Sequence, residues 1–284
     1  MNQSRIILLG FILLLLIILS IFLGRFPLNS LYDIFNPATL YHKLIFQIRL
    51  PRIITSVLFG SSLALAGLIL QKAFQNPIAD PGILGISQGA SFGAALGILL
   101  FPDNGSLIRG ISFLFSIFAL LIIYFLTEMI QKKDKLTIIL IGISISALFS
   151  AGVGMIKYLA DPLDELPSIV YWLLGSLSNS NWNYVIHSAL VILPCMMYVF
   201  LAQWRLNIFS IDKKVAFSFG VNKSIELTVG LFVSVLFVST VISASGTVGW
   251  IGLIVPNLSR MMNKGLQKYL FLTTAMIGSI FLII

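Results

Sequence analysis

The chain is poor in most of what soluble enzymes use. Charged residues make up 10% of its 284 positions, where a soluble domain carries about 25%, and no segment is long or polar enough to form a separate soluble domain. A single cysteine, Cys195, excludes a disulfide framework and any cysteine-based metal site. The two histidines, His42 and His187, have no second ligand at metal spacing, so each reads as an interfacial or satisfied side chain and no metal is expected. No Gly-x-x-x-x-Gly-Lys-Ser/Thr loop occurs. The nearest imitation, Gly220-Val221-Asn222-Lys223-Ser224, lacks the first glycine and places its lysine too late to cradle a phosphate. The search for catalytic residues yields none, and the chain is not expected to be an enzyme. If ATP drives it, another chain binds the nucleotide.

Apolar residues are abundant instead, at 58%. A spanning helix needs about 20 of them, and candidate spans cover residues 6–23, 53–74, 83–101, 111–130, 136–159, 184–201, 225–243 and 269–284, with a shorter, glycine-broken segment over 246–262. The first run is longer than a signal-peptide core and no small-x-small cleavage site follows it, so it reads as an uncleaved helix. The expectation is an all-α, polytopic bundle in a lipid bilayer, one transmembrane domain over residues 1–284. A net charge of +8 could suggest nucleic acid, but the basic residues are scattered through short loops. They read as counter-ions for the cytoplasmic leaflet.

With the N-terminus in the cytoplasm, twelve of the 18 lysines and arginines fall inside, among them Arg5, Lys72, Arg205, Lys223 and Arg260. The outer cluster Lys43, Arg49 and Arg52 breaks that pattern and invites a functional explanation. Helix interiors are nearly free of ionisable groups. Glu128, Lys157 and Glu226 sit near span ends, where snorkelling accounts for them, and a proton relay is poorly supported.

Gly85, Gly89, Gly93 and Gly97 recur at four-residue spacing, a smooth stripe of the kind that lets helix backbones approach. Ordinary packing is one reading. The other, for Gly85 and Gly89 beside the polar pair Ser87 and Gln88, is the lining of a pathway. Before them, Gln75-Asn76-Pro77-Ile78-Ala79-Asp80-Pro81-Gly82 forms a cytoplasmic turn by the same orientation: Pro77 and Pro81 end one helix and set up the next, and Asp80 offsets the free amides at its start. Residues 205–224 hold an amphipathic piece, with Asp212, Lys213 and Lys214 set against Ile211, Val215, Phe217 and Phe219, and Gly220 as a helix C-cap. Such a piece can lie on lipid or dock in a partner's groove. Residues 246–262 are apolar yet dense in helix breakers, which suits a short or broken helix inside the bundle.

Arg49-Leu50-Pro51-Arg52, Gly60 through Gly67 with Gln71, Asn76-Pro77 with Ala79-Asp80-Pro81, and Leu84-Gly85 with Gly89-Ala90 resemble the FecCD permeases of iron-siderophore, haem and vitamin B12 ABC importers. Trp172-Leu173-Leu174-Gly175-Ser176 with Trp182, the 216–220 region around Ala216 and Gly220, and Gly252-Leu253-Ile254-Val255-Pro256 with Arg260 extend the match, in collinear order from about residue 45 to 262. The resemblance implies the type II importer fold of ten helices, in a bacterial cytoplasmic membrane. It implies a second permease subunit, two ATPase subunits that use ATP and magnesium, and an extracytoplasmic substrate-binding protein. Asp212 to Gly220 would match the coupling helices that dock on the ATPase, which favours a partner over lipid. Arg49 and Arg52 would meet carboxylates of the binding protein, and the turn with Asn76, Pro77 and Asp80 would lie at the inner mouth of the path. Gly252, Pro256, Asn257 and Arg260 form a structural motif.

Two departures bear on function. Asn257 stands where the family commonly has histidine; asparagine there resembles the catecholate-siderophore permeases, which points to an iron chelate. The chain also stops at Ile284, inside its ninth span, so a truncated or degraded copy is expected. The reading is a permease for iron-siderophore complexes working by alternating access. Its rivals are a vitamin B12 or haem permease, a secondary transporter or channel, and a membrane scaffold without transport.

Overall fold

The computed structural model describes residues 3–23, 39–130, 135–208, 217–264 and 266–284. Their helices run in the order α1 (Gln3–Phe22), α2 (Leu40–Phe74), α3 (Ile86–Leu100), α4 (Gly105–Met129), α5 (Lys135–Leu159), α6 (Glu165–Leu174), α7 (Trp182–Asn207), α8 (Lys223–Ser245), α9 (Ile251–Met262) and α10 (Leu270–Ile283). Six of them are long and apolar enough to cross a membrane. Lys72, Arg205 and Arg260 mark one end of the bundle, called here the basic end; Arg49, Arg52 and Arg109 mark the other, the Arg52 end.

The central pillar is α2, and small residues are why. Gly60, Ser61, Ser62, Ala64, Ala66 and Gly67 are all buried, so neighbouring backbones come close enough for van der Waals contact to hold them. A methyl group on Gly60 would collide with the carbonyl of Gly278 in α10, and one on Gly67 with the carbonyl of Gly252 in α9. Ser279 of α10 adds a hydrogen bond to the Val57 carbonyl at 3.0 Å. At the margin, α1 is apolar all round, leans on α10 and α2, and buries little of itself.

The second pillar contact is the glycine stripe. A methyl on Gly89 would stand 2.8 Å from the Phe115 carbonyl and one on Gly93 2.7 Å from that of Ile111, so α3 lies flush against α4. Ser112 locks the pair by donating to the Ala90 carbonyl at 2.9 Å.

Two prolines free carbonyls that other helices then serve. Residues Leu44–Arg49 of α2 are wound as π-helix, so each amide reaches five residues back; Leu50 donates to Ile45. Pro51 has no amide for Phe46, and Trp182 Nε1 of α7 supplies the donor at 2.8 Å. The second case, Pro256, belongs to the site below.

Four expectations change. The second helix begins at Leu40, not residue 53, because the Arg49–Arg52 stretch continues it. α6, half a span long, was not anticipated. The segment 246–262 divides into an irregular stretch and α9. Glu226 does not snorkel: it is 9% exposed and accepts from Arg205 Nη1 at 2.8 Å and from the Tyr198 hydroxyl at 3.0 Å. A carboxylate so withdrawn from water requires such partners.

Candidate functional site

The turn between α2 and α3 begins at Gln75, whose left-handed conformation (φ 52°) ends α2. Asn76 accepts from the Ile78 amide at 3.0 Å, and Asp80 caps the next turn by accepting from the Gly82 amide at 2.9 Å. That turn is a single 3-10 turn, Pro81–Leu84; Gly85, also left-handed (φ 70°), then starts α3. Asp80 therefore caps this turn and not α3 itself, and α3 begins three residues later than expected.

The turn lies deep in the bundle. Gly252 lies against Asp80, Pro81 and the carbonyl of Leu63: a methyl there would be 3.1, 3.0 and 3.3 Å from them. Leu63 lies about 16 Å along α2 from its Phe74 end, at 1.5 Å per residue. On the other side, Gly85 packs on Gly142, Ile145 and Ser146 of α5, about 10–16 Å in from Lys135. The chain leaves α2 at the basic end and folds back to mid-bundle before α3 begins. Irregular backbone at that depth must be covered by protein or bathed by water, and both occur. Ser146 donates to the Gly82 carbonyl at 3.3 Å, and a cavity of about 360 Å³ opens beside Asp80, Ser87, Gln88, Ser91 and Thr247.

A polar clamp holds the turn from the basic end. Pro256 cannot donate to the carbonyl of Gly252, four residues back. Buried Gln71 of α2 donates to it instead, and to Leu253, each at 3.3 Å. The Gln71 carbonyl oxygen accepts from Arg260, which also donates to Asn257 Oδ1 at 2.9 Å. Asn257 Nδ2 reaches the carbonyls of Pro77 at 3.0 Å and Leu253 at 2.8 Å. Lys72 ties α2 to Asn207 of α7 and to Gln267, at 2.9 and 2.7 Å. Gln71, Asn76, Pro77, Gly252, Pro256, Asn257 and Arg260, up to 189 residues apart, thus form one structure.

The expected site residues divide. Asp80, Ser87 and Gln88 line the cavity. Gly85 and Gly89 do not; they are packed against α5 and α4. Arg49 donates to the carbonyls of Ile21 and Phe22, at 2.6 and 3.3 Å, and so finishes α1. Arg52 is exposed and donates to the Ser178 carbonyl at 3.0 Å. Gly220 is left-handed (φ 73°); Asp212, Lys213, Lys214 and Ala216 lie outside the described residues. Asn257 serves the clamp, which gives it a structural use apart from any substrate.

Sequence reasoning missed the far wall of the cavity. There the end of α6 meets the end of α8: Ser176 donates to the Ser245 carbonyl at 2.7 Å, and Thr247 to that of Leu173. Gly175 and Gly246, both at positive φ, allow the approach. Paired glycines near two helix ends were the available signal. Asp80 is the one ionisable side chain lining the cavity among the described residues, and no nucleophile and base are paired there.

The FecCD transport family matches residues 12–284. The chain is 37% identical to the molybdate import system permease protein MolB of Haemophilus influenzae, over 85% of this chain and 72% of MolB. It is 33% identical to the Fe(3+)-citrate import system permease protein YfmE of Bacillus subtilis, over 98% of this chain and 84% of YfmE. A solved ABC transporter described as of metal-chelate type, in an inward-facing conformation, shares its fold with a TM-score of 0.90 and 33% identity, over 99% of this chain and 89% of that one.

Proposed function

This chain belongs to the FecCD transport family as an ABC transporter permease, and from that premise we propose that it carries an iron-siderophore complex inward by alternating access. The observation that carries the mechanism is the folded-back turn. It borders a mid-bundle cavity on one side and is clamped to α2 and α9 on the other. A displacement at the basic end would therefore reach the cavity through Gln71, Asn257 and Arg260. In this reading the basic end and the N-terminus are cytoplasmic, partner ATPases press on the 205–224 segment, and the turn with Asp80 is the inner gate. Exposed Arg52 is the docking contact for a substrate-binding protein, while Arg49 supports it by fixing α1. The permease itself supplies no covalent chemistry.

The iron-chelate cargo is supported by the likeness to YfmE and to the metal-chelate type transporter. A second cargo, molybdate, is favoured by the higher identity to MolB. Reconstituted with its ATPase and binding protein, the permease should take up a radio-iron siderophore only when ATP is present. Uptake driven by a proton gradient without the ATPase would contradict the mechanism, and uptake of molybdate in place of the chelate would overturn the cargo.

A further inference from the structure

A groove of about 570 Å³ runs between α4 and α7 at the Arg52 end, apart from the cavity of the proposed gate. Its size falls in the range of about 300–1,000 Å³ usual for small-molecule sites. The two helices barely touch, and each rests on α8. Arg109 bridges them. Its guanidinium lies 4.3 Å over the Tyr184 ring, and donates to the Tyr184 hydroxyl and, at 3.1 Å, to Ser106. No carboxylate pairs with this half-buried cation among the described residues. Arg109 also lines an adjoining cavity with Asp103, Asp161, Asp164 and Glu165, of which Asp161 and Glu165 accept from backbone amides at the start of α6.

Below Arg109 the walls become apolar, with Gly110 and Phe113 on one side and Val191 on the other. Ser188 in the floor is 4% exposed. Leu114 of α4 and Ile186 and Leu190 of α7 are exposed on the adjoining helix surfaces, which suits a face turned to lipid. An unpaired guanidinium above an apolar slot complements a phosphate with a hydrocarbon chain attached.

We propose that this groove binds an anionic phospholipid of the leaflet at the Arg52 end, with its phosphate on Arg109 and an acyl chain between Phe113 and Val191. The inference is independent of the transported cargo. The test is native mass spectrometry of the assembled transporter after exchange into phosphatidylglycerol or phosphatidylcholine. Phosphatidylglycerol should be retained in preference, and Arg109→Gln should lower its retention about fivefold to tenfold. Val191→Trp, which fills the slot without touching Arg109, should displace it as well, and decides the matter where Arg109→Gln does not fold. Undiminished retention in the folded variants would overturn the assignment. So would displacement by inorganic phosphate at equal concentration, because an anion site without a role for the chain would then suffice.

Discussion

Two turns border the mid-bundle cavity: residues 75–85, where α2 passes to α3, and residues 246–250, where α8 passes to α9. The first is held by side chains as well as by the close contacts of Gly252 and Gly85. Asn76 and Asp80 bind its own amides, while Asn257 reaches it from α9. The second is held mainly by backbone, with Ser176 on the Ser245 carbonyl and glycines 175 and 246 in contact. A side-chain clamp can be released and remade with little change in backbone. A glycine contact has no such freedom. In the proposed mechanism the side-chain clamp is the part of the first turn that is released, and the second turn is support.

The largest effect is expected at the second turn. Gly246→Ala meets both a φ of 75° with ψ of −166° and the carbonyl of Trp172. It should cost about 3 kcal/mol or more, seen as a large drop in thermal midpoint and in folded yield. Gly82→Ala in the first turn lacks the positive φ and meets only the Asp80 side chain, at 2.9 Å, and a loss as large there would erase the contrast. Next, Gln71→Leu leaves the Gly252 carbonyl without its side-chain donor and removes one of the two acceptors of Arg260, and should cost about 2–3 kcal/mol. Its uptake should fall further than its stability, and equal losses would reduce the clamp to ordinary packing. Thr247→Val removes one hydrogen bond at the second turn, about 1 kcal/mol, with uptake nearly intact. Trp182→Phe, at the exposed Phe46 carbonyl where water can substitute, should cost under about 1 kcal/mol.

Much of the bundle was legible because apolar length is a local property. The runs ending at Leu23, Phe74, Ile130 and Leu159 announce helices by themselves. α6 was not legible: its ten residues fall short of a span, and Pro167 sits in its first turn. The start of α2 was hidden by Arg49, Pro51 and Arg52, which read as a boundary although the π-wound turn carries the helix through. The members of the clamp were named by resemblance, but their meeting was not readable, since Pro256 declares a missing amide without saying which residue replaces it. The depth of the first turn was beyond reach for the same reason. It is set by Gly67 on Gly252 and by Gly85 on α5, contacts between distant parts of the chain.

The cavity's place on the transport path is tested most directly by thiol accessibility at Ser87, which lines it. The buried Cys195 would first be replaced by alanine, and Ser87→Cys introduced into the reconstituted transporter. A membrane-impermeant maleimide should label this cysteine from the ATPase side in one nucleotide state. The labelling should disappear, or pass to the opposite side, when the ATPase is trapped by vanadate. Labelling from the same side at the same rate in both states would remove the cavity and its folded-back turn from the path.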